Sequence, residues 1–281
     1  MLERLALVLL ASFSTCAAAP PTATAPAPAA ARIPVGKAVP LKGRVSKGIT
    51  EIRYARPTSG EAIAKPTEKG SVLSELPRQE PVVVQWPFGT HPFRTKKGRP
   101  LAATLELGEA LKTDAGSSVE LMLSDRSTIV LGAETILEVS RFEGKEKERG
   151  VTLKLVQGRI HVTIPVPVEK IGQFAVETPN AVINHRGLRG IATGQPVEFF
   201  AATDPMTGRE SRTQVLCTHG QLSIETFKIT AHGVAYPNTH VLNPSDLFDA
   251  SGPHGLGLST HVSAIAPKSL PAEVARFGVL R

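Results

Sequence analysis

From Leu105 onward, the sequence consists of short apolar runs in which hydrophobic and polar residues alternate. Val119 and Leu121 fall on one face of such a run, and Glu120 and Ser124 fall on the other. Turn-forming residues recur at intervals of roughly ten, and no convincing amphipathic helix interrupts the series. Because alternation with a period of two is typical of strands with one buried face, the pattern predicts an all-β domain.

The individual strands can be predicted from the same pattern. Asp125–Ser127 predicts the turn of a hairpin, and the further predicted strands are Ile136–Val139, Val151–Leu155, Ile160–Ile164 and Phe174–Val176. Leu155–Val162 and Cys217–Ile224 also resemble each other, since each has an apolar residue, a glycine three positions on, and then alternating apolar residues. Two copies favour a repeated unit within one domain, so an antiparallel β-sandwich and a short β-solenoid-like domain both remain open.

Composition divides the chain into four parts. Residues 1–19 are predicted to be a signal peptide, and residues 20–104 a Pro-rich, basic linker or extension that is either loosely structured or adds a few strands. Residues 105–243 are the predicted compact β domain. Residues 244–281 form a Gly- and Pro-rich tail, in which Pro271–Phe277 suits a short terminal helix.

The first residues predict export. Arg4 precedes a short apolar run, and small side chains follow it, as a signal peptidase requires. The protein is therefore expected in the periplasm or cell envelope, with peripheral membrane association through lipidated Cys16 or an uncleaved signal as an alternative. After ordinary cleavage Cys217 is the only cysteine left, which excludes an intrachain disulfide.

Positive charge is concentrated in the N-terminal third. Residues 20–104 hold 14 basic and 5 acidic residues, a net of +9, whereas residues 105–281 hold 17 and 19, a net of −2. A basic patch of Arg94, Lys96, Lys97 and Arg99 lies among aromatic residues, a pattern typical of nucleic-acid binding inside cells. Export removes that partner, so no nucleic acid is expected. A solvated linker is the favoured interpretation, and attraction to an anionic envelope surface is the alternative.

The order and spacing of several fragments resemble the FecR domain, the periplasmic part of bacterial ferric-citrate signalling regulators. The resemblance covers about half the chain and runs through Leu107-Gly108, Leu111–Thr113, Gly116–Leu121, Leu123–Leu131, Thr135, Leu153–Gly158, Phe174–Pro179 and Arg186-Gly187. It departs from the family pattern at Asp125-Arg126, where relatives usually have glycine, and at Leu188, which replaces a threonine. FecR-type regulators carry a cytoplasmic anti-sigma segment ahead of a membrane helix, whereas only Met1–Arg4 precede the apolar run here. The resemblance therefore implies a free-standing exported FecR-like domain, without that segment.

Candidate chemistry is sparse in the sequence. Five histidines lie in the last quarter without a recognisable ligand spacing, namely His219, His232, His240, His254 and His261, so no metal is expected. Cys217 occupies an alternating apolar position and is expected to be a core thiol. Neither a nucleophile motif nor a nucleotide-binding loop is present, so we expect no enzyme activity and no cofactor.

One segment remains as a candidate recognition site. His185, Arg186 and Arg189 lie close together between Asn184 and Gly190, where the arginines are expected to lower the pKa of the histidine and to bind an anion or a partner. A structural ion pair of Arg186 with an acid such as Glu177 is the alternative. The sequence predicts a non-enzymatic exported module that binds an envelope protein or an anionic glycan. FecR-type cell-surface signalling and a cell-wall or carbohydrate hydrolase are the alternatives.

Overall fold

The computed structural model describes residues 33–49, 59–60, 102–143, 150–165, 173–185, 196–204, 210–230, 232–253 and 259–279. These residues form sixteen strands and one helix. The strands are β1 (Pro34–Lys42), β2 (Val45–Ile49), β3 (Ala103–Glu106), β4 (Glu109–Thr113), β5 (Ser118–Leu123), β6 (Thr128–Leu131), β7 (Ile136–Glu143), β8 (Gly150–Ile164), β9 (Phe174–Glu177), β10 (Val182–His185), β11 (Val197–Thr203), β12 (Glu210–His219), β13 (Leu222–Ile229), β14 (Ala235–Leu242), β15 (Asp246–Pro253) and β16 (Ser259–Ala264). The helix is α1 (Leu270–Phe277).

The strands form two sheets that share β8. The first sheet has the order β3-β1-β5-β6-β8-β11-β12-β15-β16, and the second has the order β2-β4-β7-β8-β9-β10-β13-β14. The first half of β8 pairs with β7 and β9, and its second half pairs with β6 and β11. Neighbouring strands are antiparallel except β8 and β9. The prediction of an all-β fold is confirmed, and the mainly antiparallel pairing favours the sandwich over the solenoid.

The inward side chains of both sheets form one continuous apolar core. Val119, Leu121 and Leu123 of β5 are buried in it, whereas Glu120 on the opposite face is half-buried. The face assignment from the sequence is therefore confirmed for this strand. A second, smaller cluster lies on the outer face of the first sheet, where Phe277 of α1 packs with Phe200, Leu216, Val130 and Val279.

Strands outside residues 105–243 belong to the same sheets. β1 pairs with β5, and β2 pairs with β4, so part of the proline-rich extension adds strands. β15 and β16 lie in the tail and continue the first sheet beyond β12. The sequence did not predict these two strands, because small polar residues interrupt their apolar alternation.

The expected terminal helix is present as α1. It has a proline in its first turn and ends at Gly278, whose left-handed φ of 58° allows its N–H to bond to Ala275 O. Within the described residues, no helix is long and apolar enough to cross a membrane.

The two segments that resemble each other both lie where the chain passes from one sheet to the other. Gly158 has a φ of 93° and Gly220 a φ of 78°, which favour glycine because it lacks a Cβ. Gly220 connects β12 of the first sheet to β13 of the second. Gly158 lies within β8, so the two strands predicted at Val151–Leu155 and Ile160–Ile164 are one continuous strand. The alternating pattern predicted correctly which side chains of β8 are buried, but it did not predict that β8 is one continuous strand.

Candidate functional site

His185 is the last residue of β10, opposite Phe174 of β9. Its side chain is buried, with 8% of the residue exposed, and Nδ1 has no partner among the described atoms. Burial lowers the pKa of His185 from its ordinary value of 6.5, against the opposing effect of a backbone hydrogen bond at Gln221. The direction agrees with the sequence prediction, and burial supplies a cause that the sequence did not show.

The other predicted binding residues lie outside the described part of the chain. They are Arg186 and Arg189 of the loop candidate, and Arg94, Lys96, Lys97 and Arg99 of the basic patch. The leader with Cys16 lies outside it as well. Recognition by these residues therefore stays a prediction.

The Thr178-Pro179 motif that carries part of the family resemblance belongs to a buried hydrogen-bond network. Thr178 Oγ1 donates to Ala181 O at 3.0 Å and accepts from Ala181 N at 3.0 Å, closing the turn between β9 and β10. Thr213 of β12 donates from Oγ1 to Asn180 Oδ1 at 2.6 Å, and Asn180 Nδ2 donates to Ser211 O at 2.9 Å. The network therefore ties the second sheet to the first.

Two hydroxyl groups near this network are buried without a described partner, Ser211 Oγ and Thr203 Oγ1. Thr203 lies opposite Thr213 in the ladder of β11 and β12, and Ser211 precedes Thr213 by two residues on the same face. Sequence reasoning missed this polar region because alternation marks threonine and serine as outward residues.

A second polar network supports the passage of β8 between the sheets. Thr113 Oγ1 donates to Gly132 O at 2.6 Å and accepts from Thr135 N at 2.9 Å. Thr135 Oγ1 accepts from Arg159 N at 3.0 Å. Because these threonines join the end of β4 and the β6–β7 connection to the backbone of β8, they hold the chain in place beside Gly158.

Cys217 is a core thiol, as predicted. The cysteine is fully buried, and its Sγ lies 3.6 Å from Gly220 O and 3.7 Å from His219 O. Burial, together with the charge of Asp246, raises the pKa of the Cys217 thiol to about 12. The thiolate is therefore scarce at neutral pH, which makes this cysteine a poor nucleophile.

The late histidines are spread over separate elements. His240 of β14 is half-buried, its Nε2 lies 2.9 Å from Asn238 Nδ2, and burial lowers its pKa. His254 is outside the described residues, and among those described no group of three or more His, Cys, Asp or Glu side chains is arranged to hold a metal ion.

One contact between a histidine and a carboxylate was not anticipated from the sequence. His161 Nε2 lies 2.7 Å from Glu198 Oε1 on the outer face of the first sheet. The imidazole stacks on Phe200 with centroids 4.3 Å apart, and Phe200 in turn contacts Phe277 of α1. This pairing arises from the register of β8 and β11, which have no sequence signal of adjacency. The arrangement holds the histidine ring beside the helix-covered cluster.

A cleft of about 500 Å³ opens beside α1 on the first sheet. Arg159, Gln157 and Gln214 line it from the sheet, and Glu273 and Arg276 line it from the helix. Arg159 Nη1 donates to Arg276 O at 3.3 Å, and Arg276 pairs with Glu273 at 2.7 Å. The arginines at its rim are therefore engaged with the helix itself.

The sequence model described as "FecR protein" matches residues 109–200. This stretch begins with β4 and ends within β11, so it contributes the centre of both sheets. Residues 109–200 therefore resemble a FecR domain, and the predicted resemblance is confirmed for this stretch.

Solved structures to which this chain is similar include two crystal structures, at 1.65 and 2.50 Å resolution, of a putative anti-sigma factor from Parabacteroides distasonis ATCC 8503. Each is 13% identical to this chain and covers 59% of it, with TM-scores of 0.40 and 0.41. The matches span 64% and 63% of those chains, which is less than two thirds of their length. No curated protein matches this chain.

Proposed function

We propose that this chain is an exported FecR-domain module that binds a partner in the cell envelope and catalyses no reaction. The FecR match over residues 109–200 carries the proposal, because that stretch builds the centre of the fold. Its polar groups support a scaffold role. Thr113, Thr135 and Thr178 bond to the domain's own backbone.

The partner we propose is an envelope protein or an anionic glycan, bound by the segment that begins at His185. Because the lowered pKa of the buried His185 keeps its ring neutral near pH 7, the positive charge for an anion would come from Arg186 and Arg189. Two guanidinium groups suit a carboxylate or phosphate group, since each presents paired donors. The competing role for Arg186 is an ion pair with an acid such as Glu177.

The double change Arg186→Ala with Arg189→Ala tests this site. We would measure its thermal stability, its binding to polygalacturonate as an anionic glycan, and its cross-linking to envelope proteins in intact cells. Recognition predicts unchanged stability with binding or cross-linking reduced at least about tenfold, because two charge-assisted contacts are lost. Lower stability with unchanged binding would assign the arginines to the fold.

The double change Lys96→Ala with Lys97→Ala is the matched control. It removes the same amount of positive charge from the basic patch, so a purely electrostatic attraction would weaken equally in both variants.

N-terminal sequencing of the protein isolated from cells tests export. An intact Met1 on a cytosolic protein would contradict it.

A second function, that of a component of FecR-type cell-surface signalling, is favoured by the same family match. In that case the partner would be an inner-membrane protein that carries the anti-sigma segment. Deleting the gene and measuring transcripts controlled by alternative sigma factors separates the two functions. If the transcripts stay unchanged and the protein still binds its envelope partner, the signalling function is contradicted and the binding module is supported.

A further inference from the structure

β16 differs from the other edge strands that the structure describes. Those edges are β2, β3, β14 and β16. β3 has only four residues, β2 contains Lys47, and β14 contains Pro237, each of which is a feature that discourages pairing with another chain. β16 has six residues, Ser-Thr-His-Val-Ser-Ala, with no proline, lysine or carboxylate. It is therefore the unprotected edge among them.

The hydrogen-bond phase of β16 can be read from its end. Ile265 N donates to Ser245 O at 2.8 Å, and the register with β15 continues regularly from there. In an antiparallel pair, alternate residues direct both backbone groups toward the neighbouring strand. The N–H and C=O groups of Thr260, Val262 and Ala264 therefore point away from β15, to the open side of the sheet.

A proline at an outward backbone position protects the β14 edge. Thr230 N donates to Val234 O at 2.9 Å, which fixes the phase of β13 and β14. The backbone groups at positions 235, 237, 239 and 241 consequently point away from β13. Pro237 occupies one of these outward positions and has no N–H to offer.

The first sheet also extends past the second at this end. β14, the last strand of the second sheet, contacts β15, because the ring of His240 lies 5.3 Å from that of Phe248. β16 lies one strand further out, and each of its side chains is at least partly exposed. An additional strand therefore meets no obstruction from β14.

We propose that β16 is the pairing edge of a homodimer, in which two copies align their β16 strands antiparallel about a two-fold axis at Val262. A second copy fits because such a contact uses the same surface on both molecules. The strand contains no Lys, Arg, Asp or Glu, so none of these charged side chains meets its own equivalent across the contact. With Val262 facing its own equivalent, His261 lies opposite Ser263 of the other copy and Thr260 opposite Ala264, so the histidines do not face each other.

Sedimentation equilibrium of the purified exported protein tests the proposal with the change Thr260→Pro. This proline removes an outward N–H and leaves the ladder with β15 intact. We expect the wild type to dimerise and the variant to dissociate with a dimer constant at least about tenfold weaker, since two interchain hydrogen bonds are lost. A wild type that stays monomeric at every concentration overturns the proposal.

The matched control is Thr239→Pro, which removes an outward N–H from an exposed threonine on β14. It should leave the dimer unchanged, and dissociation by this change but not by Thr260→Pro would assign the contact to the other edge.

If Thr260→Pro fails to fold, Val262→Cys replaces it. Mild oxidation should join two copies through this cysteine, while Thr239→Cys should stay monomeric on a denaturing gel. Equal cross-linking of both variants, or of neither, contradicts the proposed register.

Discussion

The centre of the molecule and its C-terminal rim are stabilised in different ways. In the centre, residues 109–200 place fully buried side chains such as Leu121 and Leu153 between two sheets. At the rim, β16 has no fully buried side chain, and α1 covers only a small cluster on the outer face. The matched stretch therefore lies at the middle of the main core, whereas the side chains of β16 at the rim all stay at least partly exposed.

The largest effect is expected from a charge placed in the centre. Leu121→Asp should lower the free energy of unfolding by more than about 4 kcal/mol, because an unpaired carboxylate would be buried in the core. Glu120→Ala, on the opposite face of the same strand, should change it by about 0.5 kcal/mol or less. Urea unfolding of both variants measures the difference, and equal losses would show that the face assignment is wrong.

A slightly smaller loss is expected at the central corner. In Gly158→Ala the new Cβ would lie 2.5 Å from Thr135 Cα and closer still to Thr135 Oγ1, in a backbone of positive φ. We expect a loss of about 3 kcal/mol, combining backbone strain with a clash that cannot relax.

Two glycine controls separate those causes. Gly108→Ala has a positive φ but open space around the added Cβ, so it should show only the backbone cost of about 1 kcal/mol. Gly132→Ala would make its nearest contact at 3.5 Å, which is ordinary packing, and should be nearly neutral. A loss at Gly158 no larger than that at Gly108 would mean that Thr135 gives way.

The rim should respond more weakly and locally. Phe277→Ala removes the aromatic contact with Phe200, and we expect a loss of about 2 kcal/mol, below the usual cost in a main core because the cluster is peripheral. Limited proteolysis should then release α1 while β4–β11 stay protected. Arg276→Ala on the exposed side of the helix is the control, and simultaneous loss of both regions would show that the rim is part of the cooperative core.

The smallest effect should be a gain in the centre. Arg126 has a φ of 71° in the turn between β5 and β6, a left-handed conformation that glycine adopts most readily. Arg126→Gly should raise the stability by about 0.5–1 kcal/mol, because glycine adopts this conformation without a Cβ penalty. Calorimetry measures the shift in melting temperature. Arg44→Gly would serve as a surface control, and a loss at Arg126 would mean that its side chain makes a contact that outweighs the strain.

The sequence by itself determined the faces of the strands and the place of one turn. Alternation separated Leu121 from Glu120, and Asp125–Ser127 marked the hairpin, because both signals are local and depend only on neighbouring residues. Both the assigned faces of β5 and the hairpin turn lie in the central region, residues 109–200.

The tertiary structure alone decided which of these strands meet. Whether β8 continues through Gly158, whether His161 lies beside Glu198, and whether His185 is buried depend on strand register across distant segments. Small polar residues interrupt the apolar alternation of β15 and β16, so the place of these strands beside β12 became visible only in the backbone pairing. Local patterns therefore encode each strand, and long-range hydrogen bonding decides its neighbours.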